Sequence, residues 1–204
     1  MRERRASAPG GGKAAASAAA VFRLHGAGDV ALQAAEFDDS WGANCVKYEP
    51  RLHVVLHQPE IPYNTGSVGR TCVATGAKLW LVRPLGFRVD DYYLRRAGLD
   101  YWEQLEWEIV DDWTALSARL GTHAMYFFSK AGRRLYTQIQ YQLADVLVFG
   151  CESKGLPPEL LAAHADRTEV IPNRPQVRSL NLSNAVAIVL DEALRQWSAR
   201  GQES

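Results

Sequence analysis

Three polar, loop-like segments constrain this chain most, because each stands where an open α/β sheet would bind a ligand. They are residues 64–70, which begin Asn-Thr-Gly and end in Arg; residues 150–156, Gly-Cys-Glu-Ser-Lys-Gly-Leu; and residues 171–185, which begin Ile-Pro and end Ser-Leu-Asn-Leu-Ser-Asn-Ala. The second and third each follow a short apolar run rich in β-formers, which is typical of a loop leaving the carboxyl end of a strand. Since parallel strands end at one edge of a sheet, the segments predict one composite site.

Length and charge limit the possible classes of protein. The chain has 204 residues, of which 47% are hydrophobic, enough for one domain with a sizeable core. Its 23 Lys and Arg residues balance its 23 Asp and Glu residues. The net charge therefore provides no general attraction to a nucleic acid, and any such binding must come from local basic patches.

The cysteines argue against a disulfide framework and against a structural metal. Cys45, Cys72 and Cys151 are odd in number and widely spaced, and they form no Cys-x-x-Cys or Cys/His pattern. No apolar stretch approaches the roughly 20 residues that a membrane span needs. We therefore expect a soluble protein of a reducing compartment, the cytoplasm, with no metal and no membrane partner.

Residues 1–50 read as an amino-terminal extension that precedes a domain at residues 51–200. The first 20 or so residues are rich in Arg, Ala, Gly and Ser and contain little large apolar surface, so we expect disorder there. Their basic character also fits an organelle transit peptide, but an unstructured bacterial extension is the simpler interpretation.

From residue 52 onward, strand and helix signals alternate, which predicts an α/β fold with a mainly parallel sheet and helices on both faces. The predicted strands are residues 52–56, 79–82, 105–110, 124–128, 146–149 and 169–171, and the predicted helices are 66–75, 112–120 and 182–197. The last helix carries an apolar stripe. Trp197 near its end predicts either a surface covered by a partner subunit or a simple exposed aromatic residue.

Each polar segment has a local explanation and a functional one. Asn64 suits a helix cap, and Arg70 offers a planar charged fork for a phosphate or ribose oxygen. Gly150 and Gly155 let the backbone approach a ligand closely, although an ordinary turn has the same composition. Glu152 suits a solvated or capping carboxylate or one that orients a cationic ligand. Residues 179–184 contain more Ser and Asn than capping requires, which indicates a cluster aimed at a ligand.

Taken together, the motifs resemble a known enzyme family. The string Pro-Glu-Ile-Pro-Tyr-Asn-Thr-Gly at residues 59–66, Arg-Arg-Ala-Gly-Leu-Asp-Tyr at 95–101, the loop at 150–156 and the Ser/Asn segment at 179–185 are similar to the SPOUT class of RNA methyltransferases. More narrowly, they resemble the tRNA 2′-O-ribose methyltransferases that act on the wobble cytidine or uridine, position 34. The resemblance covers roughly residues 51–198.

The resemblance implies a deep carboxyl-terminal trefoil knot, S-adenosylmethionine as cofactor, and a homodimer with a shared site. It assigns catalytic roles to Arg70, Ser179, Asn64 and Asn181. It assigns cofactor contacts to Phe128, Gly150, Glu152, Gly155, Ile171, Ser179 and Leu180, with tRNA, leucine tRNAs in particular, as substrate. Two positions depart from the pattern, since Asn173 and Cys151 replace a common methionine and proline.

RNA contact is expected from a local basic segment. Arg83, Arg88, Arg95 and Arg96 are interspersed with aromatic residues, a mixture suited to phosphate contacts and base stacking. A solvated helix face with core aromatics is the alternative. Two other functions also remain open, a ribosomal RNA ribose methyltransferase and a non-catalytic RNA-binding assembly factor. In a methyltransferase of either RNA, we expect Arg70 to act as a cation, because a guanidinium is almost never neutral in a protein.

Overall fold

The structure is a computed structural model that describes residues 49–88, 101–102 and 104–201. The predicted RNA contacts Arg95 and Arg96 lie outside these residues. Within the described part, seven strands form one parallel sheet in the order β3-β2-β1-β6-β4-β7-β5. The strands are β1 (His53–His57), β2 (Lys78–Val82), β3 (Trp107–Val110), β4 (Met125–Phe128), β5 (Arg134–Leu135), β6 (Val146–Phe149) and β7 (Thr168–Val170).

The central strands are apolar because both of their faces are covered. β1 and β6 are buried along their whole length and pair in register, with Val55 opposite Val148. β1 pairs with β2 on its other side, so that Val55 also faces Trp80. Strands buried on both faces read as continuous apolar runs instead of alternating patterns, which is why their positions could be predicted from the sequence.

Helices cover both faces of this sheet. They are α1 (Pro62–Thr75), α2 (Trp113–Leu120), α3 (Pro158–Ala163) and α4 (Leu182–Ala199), and short 3-10 turns occur at Tyr136–Gln138 and Ala165–Arg167. α1 and α4 contribute Cys72 and Val189 to the core on one face, whereas α2 and α3 contribute Leu116 and Leu160 to the core on the other. The predicted parallel sheet with helices on both faces is confirmed. The trefoil knot remains an expectation from the resemblance.

The two interpretations of Trp197 are both wrong for this chain. Trp197 is only 3% exposed, because α4 packs beneath the segment that precedes β6. Its indole Nε1 donates to the carbonyl oxygen of Tyr141 at 3.0 Å, and the Arg51 guanidinium lies 5.5 Å from its ring centre. The stripe on α4 is therefore buried to its end within the chain.

His53, at the start of β1, is a buried histidine held in its neutral form. The indole Nε1 of Trp80 donates to its Nδ1 at 3.1 Å, and the ring of His123 lies 5.3 Å away. Burial, followed by the nearby His123 and Lys78, lowers the pKa of His53 from 6.5 to about 4. An unfolded chain therefore takes up a proton at this site at a higher pH than the folded chain does.

The stability contributed by neutral His53 should be fully present above pH 6.5 and be lost as the pH falls through about 4. The shift corresponds to about 3 kcal/mol of unfolding free energy. His53→Asn keeps an acceptor for the Trp80 indole but does not titrate. Urea unfolding from pH 7 to 4 should give a shallower decline for the variant than for the wild type, and parallel curves would contradict this assignment.

Candidate active site

A cavity of about 560 Å³ opens at the carboxyl ends of β4, β6 and β7. Residues from all three polar segments line it, because the parallel strands end at the same edge of the sheet. Among the residues assigned to cofactor and catalysis, the lining includes Asn64, Phe128, Gly150, Glu152, Gly155, Ile171, Ser179, Leu180 and Asn181. Their binding roles remain predictions, but the structure brings them to one place.

The floor of the cavity is apolar. The rings of Phe128 and Phe149, at the ends of adjacent strands, stack with centres 4.7 Å apart and planes inclined by 13°. Ile171, Leu182 and Ala185 also line the cavity. Such a floor can accept a planar ring or an aliphatic chain by burying its apolar surface.

Glycine is required at the entrance to the loop at 150–155. A Cβ atom on Gly150 would lie 2.1 Å from the carbonyl carbon of Gly155 and 2.2 Å from the amide nitrogen of Leu156. Gly155 donates its amide to the Cys151 carbonyl oxygen at 2.9 Å and has a φ of 73°, which glycine adopts at little cost. The loop therefore folds back on itself as a tight, close-packed turn.

Glu152 in this loop binds the start of α1. Its carboxylate accepts hydrogen bonds from the amide of Glu60 at 2.9 Å, the amide of Ile61 at 3.3 Å and the side-chain Nδ2 of Asn64 at 2.9 Å. Ile61, the N-cap residue of α1, provides no side-chain cap. A carboxylate at a helix amino terminus satisfies unpaired amides and complements the helix dipole. Glu152 is thus a capping group supplied from 88 residues away in the sequence.

The prediction that Asn64 caps its own helix is wrong. α1 begins earlier, at Pro62, so Asn64 lies inside its first turn and is 8% exposed. Its side-chain Oδ1 accepts a hydrogen bond from Nδ2 of Asn181 at 2.9 Å. Because its Nδ2 is bound to Glu152, the Asn64 amide is fixed at both ends.

Asn181 completes a connected series of hydrogen bonds across the three segments. Its Oδ1 accepts from the amide of Ser183 at 2.9 Å, the hydroxyl of Ser183 at 2.6 Å and the amide of Asn184 at 3.4 Å, which caps α4. We call the series Glu152, Asn64, Asn181 and Ser183 the polar relay. The Ser/Asn cluster is therefore both a helix cap and a link to α1.

Cations surround the mouth of the cavity. Lys130 donates its Nζ to the Val177 carbonyl oxygen at 2.8 Å, and the Arg178 guanidinium donates to the Ser153 carbonyl oxygen. Lys154 is an exposed third cation in the lining. We call Lys130, Lys154 and Arg178 the basic rim. Arginine and lysine carry several donors, so backbone bonds leave N–H groups for an anionic ligand.

Arg70 lies away from this cavity. It is exposed on the outer side of α1, with its guanidinium carbon 4.8 Å from the centre of the Tyr101 ring, and it is not part of the cavity lining. Of the predicted RNA contacts, Arg83 is 53% exposed and pairs with Asp111 at 3.5 Å, and Arg88 is exposed. A single copy of the chain therefore does not unite Arg70 with the cavity.

The basic rim and Glu60 are site residues that the sequence patterns do not identify. Glu60 accepts hydrogen bonds from the amide of Ser153 at 2.8 Å and from its hydroxyl at 2.6 Å. No local pattern marks a carboxylate whose partner lies 93 residues later in the chain. Among the described residues, no group of three or more His, Cys, Asp and Glu side chains could hold a metal ion. None of the helices described is long and apolar enough to cross a membrane.

Comparisons with known proteins agree with this geometry. Residues 51–191 match the model of the SpoU rRNA Methylase family. The chain is 44% identical over 149 residues to the tRNA (cytidine(34)-2′-O)-methyltransferase of Methylovorus glucosotrophus, covering 72% of this chain and 97% of that protein. It also resembles a solved structure concerned with the 2′-OH methylation of C/U34 on tRNA, with a TM-score of 0.70, 43% identity, and coverage of 73% and 97% of the two chains. An AdoMet-bound rRNA methyltransferase from Sinorhizobium meliloti has a TM-score of 0.64 and 29% identity, with coverage of 72% and 57%.

Two glycine variants separate close packing from backbone conformation in the loop. Gly150→Ala should weaken ligand binding in the cavity about tenfold or more, because overpacking costs about 1–3 kcal/mol and the loop must shift. A Cβ atom on Gly155 would meet no atom within 4 Å. Gly155→Ala should therefore lose only the roughly 1–2 kcal/mol of folding free energy that alanine loses in the left-handed backbone conformation. Calorimetric titration with S-adenosylhomocysteine measures the ligand affinity of each variant. Equal affinity of Gly150→Ala and wild type would contradict the packing argument.

Proposed function

Because the chain belongs to the SpoU rRNA Methylase family, we propose that it transfers a methyl group from S-adenosylmethionine to a ribose 2′-oxygen of RNA. The wobble cytidine or uridine of tRNA, in leucine tRNAs above all, is the proposed acceptor. The Methylovorus glucosotrophus tRNA (cytidine(34)-2′-O)-methyltransferase matches this chain along nearly its whole length, which supports the assignment. The observation that carries it is the cavity in which the polar relay joins all three motifs.

The cavity fits the proposed cofactor. The stacked Phe128 and Phe149 rings offer apolar surface to a planar base, and the tight turn at Gly150 offers backbone without a side chain in the way. Ser179 and Leu180 line the cavity beside this turn. When bound, S-adenosylmethionine would supply the methyl group from its sulfonium sulfur, and S-adenosylhomocysteine is a good leaving group. The protein's task is then to place the ribose oxygen about 3 Å from that methyl carbon in line with the bond that breaks.

The basic rim is suited to the RNA backbone. Lys130, Lys154 and Arg178 stand at the mouth, and they outnumber Glu152, the only carboxylate among the described residues of the lining. The mouth is therefore positive although the whole chain is neutral. Phosphates next to the reacting ribose can bind there, and such binding weakens as salt concentration rises.

We assign to Arg70 the role of a permanent cation that holds the adjacent phosphate and stabilises charge developing on the ribose oxygen. Its exposed position on α1 means that it must reach the cavity of another copy of the chain. The groove between α1 and α4 supports such a homodimer, because mostly small or apolar side chains line it. They are Thr71, Thr75, Ala187, Ile188, Asp191 and Leu194. We also propose that the chain forms the deep carboxyl-terminal trefoil knot that the family resemblance implies.

Methylation of unmodified tRNA tests the proposed function. Purified protein, labelled S-adenosylmethionine and total tRNA from cells that lack this gene should give a 2′-O-methylated pyrimidine at position 34, mapped by nuclease digestion and mass spectrometry. Label only in ribosomal RNA would identify a ribosomal RNA methyltransferase instead. Cofactor binding without label in either RNA would support a non-catalytic assembly factor.

Arg70→Ala should lower methyl transfer about 100-fold or more while leaving cofactor affinity nearly unchanged, because the arginine acts on the transition state and lies outside the cavity. Arg119→Ala, which removes an exposed arginine paired with Glu108, is the control and should retain activity. At a limiting cofactor concentration, where both single variants are slow, co-expressed Arg70→Ala and Gly150→Ala chains should exceed the mean activity of the two variants, since mixed dimers contain one intact shared site. Absence of any such excess would contradict a site built from two copies.

A further inference from the structure

Two carboxylates hold the segment before α1 and the loop at 150–155 together by reciprocal hydrogen bonds. Glu152 accepts from the backbone amide of Glu60 at 2.9 Å, and Glu60 accepts from the backbone amide of Ser153 at 2.8 Å. The Ser153 hydroxyl adds a third bond, to Glu60 at 2.6 Å. We call these contacts between Glu60, Glu152 and Ser153 the carboxylate latch. Bonds to charged acceptors are stronger than neutral ones, so the latch is a firm connection between segments about 90 residues apart.

The Glu60 side of the latch has a fixed base. The amide of Gly86 donates to the Pro59 carbonyl oxygen at 2.9 Å, and a Cβ atom on Gly86 would lie 2.7 Å from the Cα of Glu60. The loop that follows β2 is therefore packed directly against the backbone at Glu60. The carboxylate of Glu60 extends from an anchored segment between β1 and α1 toward the loop that lines the cavity.

Ser153 is held from a second direction by the basic rim. Its carbonyl oxygen accepts from Arg178, while its amide and hydroxyl donate to Glu60. Ser153 is exposed and Glu60 is only half-buried, so little apolar burial fixes this part of the loop. The position of Ser153 within the loop therefore depends mainly on these hydrogen bonds.

We propose that Glu60 is a positioning residue, whose bonds to Ser153 keep the loop at 150–155 in the conformation that receives the cofactor. The inference rests on the proposed function, since it concerns the same cavity. A loop that is competent in only a fraction of molecules binds its ligand more weakly by that fraction. Removal of the Glu60 carboxylate should release the loop without removing any group that touches the reacting atoms.

Charge strengthens the contact. The Ser153 hydroxyl, followed by the Ser153 amide, lowers the pKa of Glu60, and Lys154 and Arg178 act in the same direction. Glu60 is therefore ionised at neutral pH. Glu60→Gln keeps an acceptor oxygen for one Ser153 bond but loses the charge, which makes it the conservative variant, whereas Glu60→Ala removes both bonds.

The test compares Glu60→Ala, Glu60→Gln and a control, Glu108→Gln, whose carboxylate pairs with Lys78 and Arg119 outside the cavity lining. Calorimetry with S-adenosylhomocysteine should give a Kd about tenfold weaker for Glu60→Ala, an intermediate value for Glu60→Gln and no change for the control. Hydrogen exchange without ligand should speed up at residues 150–155 in Glu60→Ala. The kcat at saturating cofactor should stay near the wild-type value.

Wild-type-like Kd and exchange in Glu60→Ala would overturn the inference. A fall in kcat with an unchanged Kd would also overturn it, because it would place Glu60 in the transfer step. If the wild type itself bound no S-adenosylhomocysteine, the proposed function would fail. The exchange measurement needs no ligand, and unchanged exchange at residues 150–155 in Glu60→Ala would then overturn the positioning of the loop separately.

Discussion

The start of α1 depends on a carboxylate that reaches it from the cavity loop. Glu152 accepts hydrogen bonds from two backbone amides before the helix and from the Asn64 side chain, whereas the N-cap residue Ile61 offers no side-chain cap. Unpaired amides at a helix start are costly when they are shielded from water, so the helix and the loop stabilise each other. Asn64 in turn accepts a hydrogen bond from Asn181, which caps the start of α4. The residues that cap the two helices, Glu152 and Asn181, thus also line the cavity.

The same arrangement determines where charge is available. Lys130, Lys154 and Arg178 keep donors at the mouth of the cavity, where they outnumber Glu152, the one carboxylate among the described lining residues. A neutral chain can therefore present a positive entrance, which is what a polyanionic substrate requires. The cavity loop contacts both the segment before α1 and the basic rim, and α1 also carries Arg70. The structure consequently links the groups proposed for cofactor, RNA and transfer through a few polar contacts.

Local sequence patterns predicted most of the elements, although not β5 or α3, and they did not predict the contacts between elements. The apolar runs of β1 and β6 identify buried strands, Asp112 at the start of the predicted helix 112–120 caps α2, and the apolar stripe predicted on α4 is buried. Asn64 was misplaced because Pro62 starts the helix earlier and the cap comes from Glu152, far away in sequence. Trp197 was placed at the surface because its cover, the carbonyl of Tyr141, belongs to another segment. Such pairings depend on the tertiary fold, which no local pattern specifies.

An exchange of side chains within the polar relay tests most directly whether it joins the three motifs. In the wild type, the Nδ2 of Asn64 donates to the Glu152 carboxylate at 2.9 Å. Asn64→Asp replaces this donor with a second carboxylate, which should reduce thermal stability and weaken the binding of S-adenosylhomocysteine about tenfold. Adding Glu152→Gln supplies a new amide donor to the introduced carboxylate and keeps one acceptor oxygen for the Glu60 amide. If the polar relay joins the three motifs, the double variant should recover most of both losses. Losses that simply add in the double variant would contradict it.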